Sequence, residues 1–256
     1  MKILKFKKQS KDKYKLYLDN NSDITLYEDV IIKNNLLITK EISDELLDTL
    51  KKQNNDMYAY TLALGYISVK MRSIKEINDY LIKKGFNNLV ANKVSERLIK
   101  EGYLNDLKYT KSFICDSMNL TNKGPQKIKM ELIKYGVNKD IIESEIALID
   151  QRKVEEKLNK LIDKELKIKK GSQNAIKIKL INHFVNLGYS KDLVTSILTG
   201  KEITSDKSKL KKDYEKLYNK YKVKYNGQEL LYFISQKLYS KGYTASDIKE
   251  VLKEEN

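Results

Sequence analysis

Beyond residue 57 the apolar positions recur three and four residues apart with polar residues between them, a spacing that predicts amphipathic helices. The pattern is also periodic on a longer scale. A glycine, a large apolar residue and a small polar residue occur together as Gly85-Phe86-Asn87, Gly136-Val137-Asn138, Gly188-Tyr189-Ser190 and Gly242-Tyr243-Thr244, at intervals of 51, 52 and 54 residues. Before each glycine runs a helix, with Ile77 and Leu81, Ile128 and Leu132, Ile178 and Ile181, or Leu231 and Ile234 on its apolar face. The glycine suits the left-handed position just past a helix end, and the small polar residue can cap the next helix. Phe86, Val137, Tyr189 and Tyr243 then stand where a hydrophobic staple would close on Ala91, Ile142, Val194 and Ile248. A further helix precedes each pair, carrying Tyr60, Leu64 and Ile67; Tyr109, Phe113 and Ile114; Leu158, Leu161 and Ile162; or Tyr214, Leu217 and Tyr221. The unit is a three-helix repeat. Ser73 with Glu76 spells a capping box, and Pro125 fits a first helical position. "GYLND" (102–106) joins the first repeat to the second: Gly102 ends one helix, Asn105 or Asp106 caps the next, and the joint is expected to fix the angle between repeats.

From Ser73 to Gly85 and from Gly124 to Gly136 there are 12 residues, against 17 from Gly171 to Gly188 and 15 from Gly227 to Gly242. The middle helix is therefore about one 3.6-residue turn longer in the last two repeats. Residues 1–56 differ: "ILKFKK", "YKLYL" and "ITLY" are strand-like, with "DNNSD" as a turn between the last two. A short helix follows at "EDVIIKNNL", and Ser43 can cap "DELLDTLKKQ", which runs towards the first repeat. The expected architecture is mostly α, with tandem three-helix repeats at 57–106, 107–150, 151–205 and 206–256 forming an elongated curved array, capped by a small N-terminal β-hairpin module at 1–56.

One Pro and ten Gly in 256 residues agree with a helical chain. Cys115, the single cysteine, points to a reducing, cytoplasmic compartment, and no apolar run approaches the ~20 residues of a membrane span. His183 is the only histidine, and neither a nucleophile elbow nor a phosphate-binding glycine loop accompanies it. With Glu155 and Glu156 on a charged helical face, no catalytic, cofactor or metal site is expected. The net charge of +15, 50 Lys and Arg against 35 Asp and Glu, suits a polyanionic or acidic partner; a background bias towards Lys, Asn and Ile is the alternative source of part of it. Most of the excess lies late, +6 over 151–205 and +4 over 206–256. The third helices mix Lys139 with Asp140, Glu143 and Glu145, and Lys249 with Asp247 and Glu250, which disfavours major-groove reading by a helix-turn-helix. The middle helices and the turns before them are the better basic surface: Lys70, Arg72 and Lys75; Lys123, Lys127, Lys129 and Lys134; Lys169, Lys170, Lys177 and Lys179. Residues three or four apart, such as Lys123 and Lys127 or Arg72 and Lys75, would form stripes. A scattered solvated face is the alternative. The residues alone thus leave open a sequence-independent nucleic-acid binder and a protein-only solenoid scaffold.

"MRSIKEINDYLIKKGF" (71–86), "EGYLNDLKYT" (101–110) and "NKGPQKIKMELIKYGV" (122–137) together resemble RecX, the regulatory protein family of the RecA recombinase. Arg72, Ser73, Glu76 and Ile77 meet one family pattern, Gly102 to Asp106 a second, and Lys123, Gly124, Lys127, Leu132 and Gly136 a third. Thr110 replaces a usual Ala, and Tyr135 a usual Lys. The resemblance implies a non-enzymatic, monomeric, cytoplasmic modulator of DNA repair with no membrane partner. It would lodge in the helical groove of the RecA filament on single-stranded DNA and restrain filament growth, ATP hydrolysis and strand exchange.

Overall fold

A computed structural model describes residues 1–254. It opens with strands β1 (Ile3–Lys8), β2 (Lys13–Leu18) and β3 (Asp23–Tyr27), antiparallel in the order β1-β2-β3. The three strand-like runs of the expected hairpin module thus pair into one three-stranded sheet. Its first turn, around Ser10 to Asp12, contains neither Gly nor Pro to announce it. Helices α1 (Glu28–Lys33) and α2 (Leu36–Thr39) close over the sheet, burying Leu16, Leu26, Val30, Ile31 and Leu36 in one core. The free edge of β3 is occupied by the amide of Asn54, which accepts from Tyr27 N (2.9 Å) and donates to Thr25 O (3.1 Å). An edge satisfied in this way no longer offers itself to another strand. Asn54 belongs to α3 (Asp44–Ile67), a 24-residue helix capped by Ser43 that runs unbroken from the module into the first repeat.

The remaining described helices are α4 (Ile74–Lys83), α5 (Asn88–Lys100), α6 (Asp106–Leu120), α7 (Pro125–Lys134), α8 (Lys139–Ala147), α9 (Gln151–Leu166), α10 (Gln173–Asn186), α11 (Lys191–Thr199), α12 (Lys207–Tyr221), α13 (Gly227–Ser240) and α14 (Ala245–Glu254). They give the tandem repeats α3–α5, α6–α8, α9–α11 and α12–α14. The middle helices α4 and α7 have 10 residues and α10 and α13 have 14, the one-turn difference that the spacing predicts. Gly85, Gly136, Gly188 and Gly242 all have positive φ, between +74° and +94°. Asn87, Ser190 and Thr244 accept from the backbone N–H three residues on, and Asn138 from that of Asp140. One face is corrected. In α10 the core takes Ile176, Leu180 and Phe184 while Ile178 is exposed, and in α13 it takes Leu230, Ile234 and Leu238. Counted back from the glycine, Leu180 and Phe184, like Ile234 and Leu238, match Ile77 and Leu81.

Two compact units result, 1–110 with 133–141 and 111–132 with 142–256. Within them one joint recurs three times between neighbouring repeats. The Ser73 hydroxyl, at the start of α4, donates to Tyr135 O at the end of α7 (2.7 Å). Gly124 N, before α7, donates to Leu187 O after α10 (2.7 Å), and Gln126 N to Gly188 O (3.0 Å). The Ser172 hydroxyl, before α10, donates to Lys241 O after α13 (2.6 Å). The middle helices α4, α7 and α10 therefore each set N-terminal donors against carbonyls ending the next middle helix, a head-to-tail match of dipoles. The first N–H of α4, on Ile74, is accepted by Asp106 Oδ1 (3.0 Å), and that of α10, on Gln173, by Ser205 Oγ (3.1 Å). In α7 the same position is Pro125, which has no N–H to satisfy. The "GYLND" turn contributes through Asp106, while Asn105 caps α6 by accepting from Lys108 N. A Cβ at Gly102 would meet nothing within 4 Å, whereas one at Gly136, Gly188 or Gly242 would meet Lys75, Lys127 or Asn174 of the repeat before.

Candidate partner-binding surface

The eleven basic residues divide by what their heads touch. In the first unit Arg72 is not a surface cation: its guanidinium lies 3.7 Å from the Tyr66 ring centroid and 3.3 Å from Glu76, with the side chain largely buried. The stacking continues from Tyr66 to Tyr80, centroids 4.1 Å apart. Lys75 pairs with Asp79 at 2.7 Å. Lys70 and Lys134 are exposed and have no carboxylate partner among the described residues. The expected stripe of Arg72 and Lys75 therefore does not form, because Arg72 turns inward to the tyrosine face that α3 supplies.

In the second unit Lys123 pairs with Glu131 (2.6 Å), Lys129 with Glu143 (3.2 Å) and Lys169 with Glu165 (3.0 Å). Lys127, Lys170, Lys177 and Lys179 have no carboxylate partner among the described residues. Lys127 and Lys179 occupy the same place in their repeats, nine residues before the glycine. Lys123 and Lys127 do not act as one stripe, since Lys123 is engaged along its own helix. Pattern reading passed over Lys157 altogether. Its half-buried ammonium donates to Met118 O (2.7 Å) and Lys123 O (3.2 Å), closing the C-terminal turn of α6 and anchoring the loop before α7. Burial holds its pKa below the ordinary lysine range. A lone Lys in a charged helix carries no signal of that role.

Cys115 is exposed, and exposed His183 sits edge-on to Phe184. No three His, Cys, Asp or Glu side chains gather as a metal-binding group among the described residues, and no described helix is long and apolar enough to cross a membrane. What the surface offers is a set of ammonium groups with no carboxylate partner among the described residues.

Models of the RecX first and second three-helix domains match residues 59–98 and 105–144. The regulatory protein RecX of Streptococcus uberis is 36% identical over 259 residues, covering 99% of each chain. The chain belongs to the RecX family. The regulatory protein RecX of Staphylococcus aureus is 28% identical over 257 residues, 98% of this chain and 94% of its own. Two crystal structures share the fold. One described as regulatory protein RecX superposes with a TM-score of 0.68 over 77% of this chain and 98% of its own, at 22% identity. RecX from Lactobacillus salivarius gives 0.53 over 58% and 97%, at 26% identity. The alignments with RecX relatives extend through α9–α14, where sequence motifs alone are thin.

Proposed function

We propose that the protein is a non-enzymatic regulator of the RecA recombinase, one that binds the RecA filament on single-stranded DNA in its helical groove and mostly inhibits its ATPase and recombinase activities. The observation that carries this reading is the end-to-end kinship with proteins named regulatory protein RecX. The cations Lys70, Lys127, Lys134, Lys170, Lys177 and Lys179, with no carboxylate partner among the described residues, support it, because a filament presents acidic protein surface and phosphate to such groups. The protein acts as a cytoplasmic monomer and needs no cofactor; its work is binding. ATP hydrolysis by the cognate recombinase on single-stranded DNA is the test, with this protein added in increasing amounts. The rate should fall as the protein is added. An unchanged rate with intact DNA binding would replace this reading with a free-standing nucleic-acid binder, and binding to neither DNA nor filament with a protein scaffold.

A further inference from the structure

Three of the four first helices end alike. The C-cap residues of α3, α9 and α12 are Ser68, Lys167 and Lys222, and the next residue is in each case a β-branched aliphatic: Val69, Ile168 and Val223. These side chains are 78%, 65% and 85% exposed. A lysine follows each directly, Lys70, Lys169 and Lys224, so that repeats 3 and 4 display Lys-Ile-Lys-Lys (167–170) and Lys-Val-Lys (222–224). Lys70, Lys167, Lys170 and Lys224 have no carboxylate partner among the described residues. Lys169 reaches Glu165, and Lys222 lies over the Tyr218 ring. Repeat 2 departs from the pattern: exposed Leu120 is followed by Thr121 and Asn122, and Lys123 is held by Glu131. Lysines near a helix C-terminus complement its dipole. That does not account for an aliphatic side chain held in water between them.

We propose that these turns are contact points for a single-stranded nucleic acid, the aliphatic side chain lying against a base face and the flanking lysines against phosphates. A duplex satisfies the lysines but stacks its base faces away from the aliphatic tip, whereas an unpaired strand presents both together. An anionic lipid surface also combines charge with apolar depth, but a single aliphatic side chain per turn is a shallow anchor for a bilayer. The proposal draws on the regulator reading only for the source of the strand; the contact itself needs no recombinase.

The test uses the full chain without recombinase, measuring binding to labelled oligothymidylate, to a duplex of equal length and to phosphatidylserine vesicles. Variant one is V69S/I168S/V223S; variant two replaces Lys167, Lys169, Lys170, Lys222 and Lys224 with Gln. Circular dichroism confirms retained helix in both. The serine variant should bind oligothymidylate several-fold more weakly at an unchanged salt slope, with duplex binding unaltered. The glutamine variant should weaken both, its log-log salt slope on the single strand flattening by about 0.7 for each phosphate no longer neutralised. Single-strand binding by the serine variant equal to that of the parent overturns the proposal, as does equal weakening on duplex and single strand, or weakening confined to vesicles. If recombinase ATP hydrolysis proves insensitive while these DNA results hold, the regulator reading falls and the turn contact stands.

Discussion

At Gly188 a β-carbon would stand on the backbone nitrogen of Lys127 and within 2.5 Å of its Cβ, in a backbone with φ of +92°. Gly85 has nearly the same φ, +94°, but open space around the missing Cβ. The pair separates conformational strain from close approach. Gly85→Ala should cost about 1–2 kcal/mol from conformation alone, and Gly188→Ala at least about 1 kcal/mol more from overpacking, read as thermal or urea unfolding of the two variants. Asp213 gives a pH dependence. Burial opposes its charge, but hydrogen bonds from Lys241 Nζ and Tyr243 Oη, each 2.9 Å, outweigh burial and hold its pKa below the ordinary carboxylate value. A carboxylate depressed on folding stabilises the protein above the unfolded pKa of about 3.9 and loses that contribution as pH falls through the lower folded value. Asp213→Asn should therefore lose about 2 kcal/mol at neutral pH. Unfolding measured from pH 7 down should show the gap to the parent closing below about pH 4. The glycine turn at 188 is legible in the sequence. Its close approach to Lys127 is not, since the two residues are 61 positions apart.

Among elements, the middle helix carries the joint that recurs between neighbouring repeats. Its caps follow from local spacing: Ser73 and Glu76 form the reciprocal box, and Pro125 opens α7. That the capping hydroxyl of Ser73 or Ser172 also donates to a carbonyl of the next repeat is invisible locally, because nothing near either serine specifies Tyr135 or Lys241 as partner. Ser172→Ala removes both bonds from a buried hydroxyl and should cost about 1–2 kcal/mol. Ser190→Ala, at an exposed cap bonded only to Leu193 N, should cost less, and chemical denaturation of the two variants compares them. The face that α10 buries escapes local reading for a similar cause. Ile176, Ile178, Leu180, Ile181 and Phe184 crowd one short helix, and the four-residue series 176, 180, 184 is the one that meets the buried residues of α9 and α11.

For the whole molecule, the +15 charge makes an anionic partner plausible but does not say which cations are available to it. Charge reversal of Lys127, Lys177 and Lys179, none with a carboxylate partner among the described residues, should leave helical content intact and weaken binding to the recombinase filament more than to bare single-stranded DNA. Co-sedimentation with filaments against fluorescence anisotropy on DNA measures both; equal weakening would mean that these lysines serve phosphate alone. Reversal of Lys75, Lys123 and Lys129, already tied to Asp79, Glu131 and Glu143, should affect binding less. By itself the sequence determined the helices, their caps, the three-helix period and the longer middle helices of the last two repeats, because these depend on residues within one or two turns of each other. It also carried the family motifs. Only the tertiary structure decided the pairing of the three strand-like runs into one sheet, the face that α10 buries, the joints at the glycine turns and which lysines meet a carboxylate among the described residues. Each of these depends on which carbonyl, ring or carboxylate a distant segment brings within about 3–4 Å, a matter of packing that no local spacing encodes.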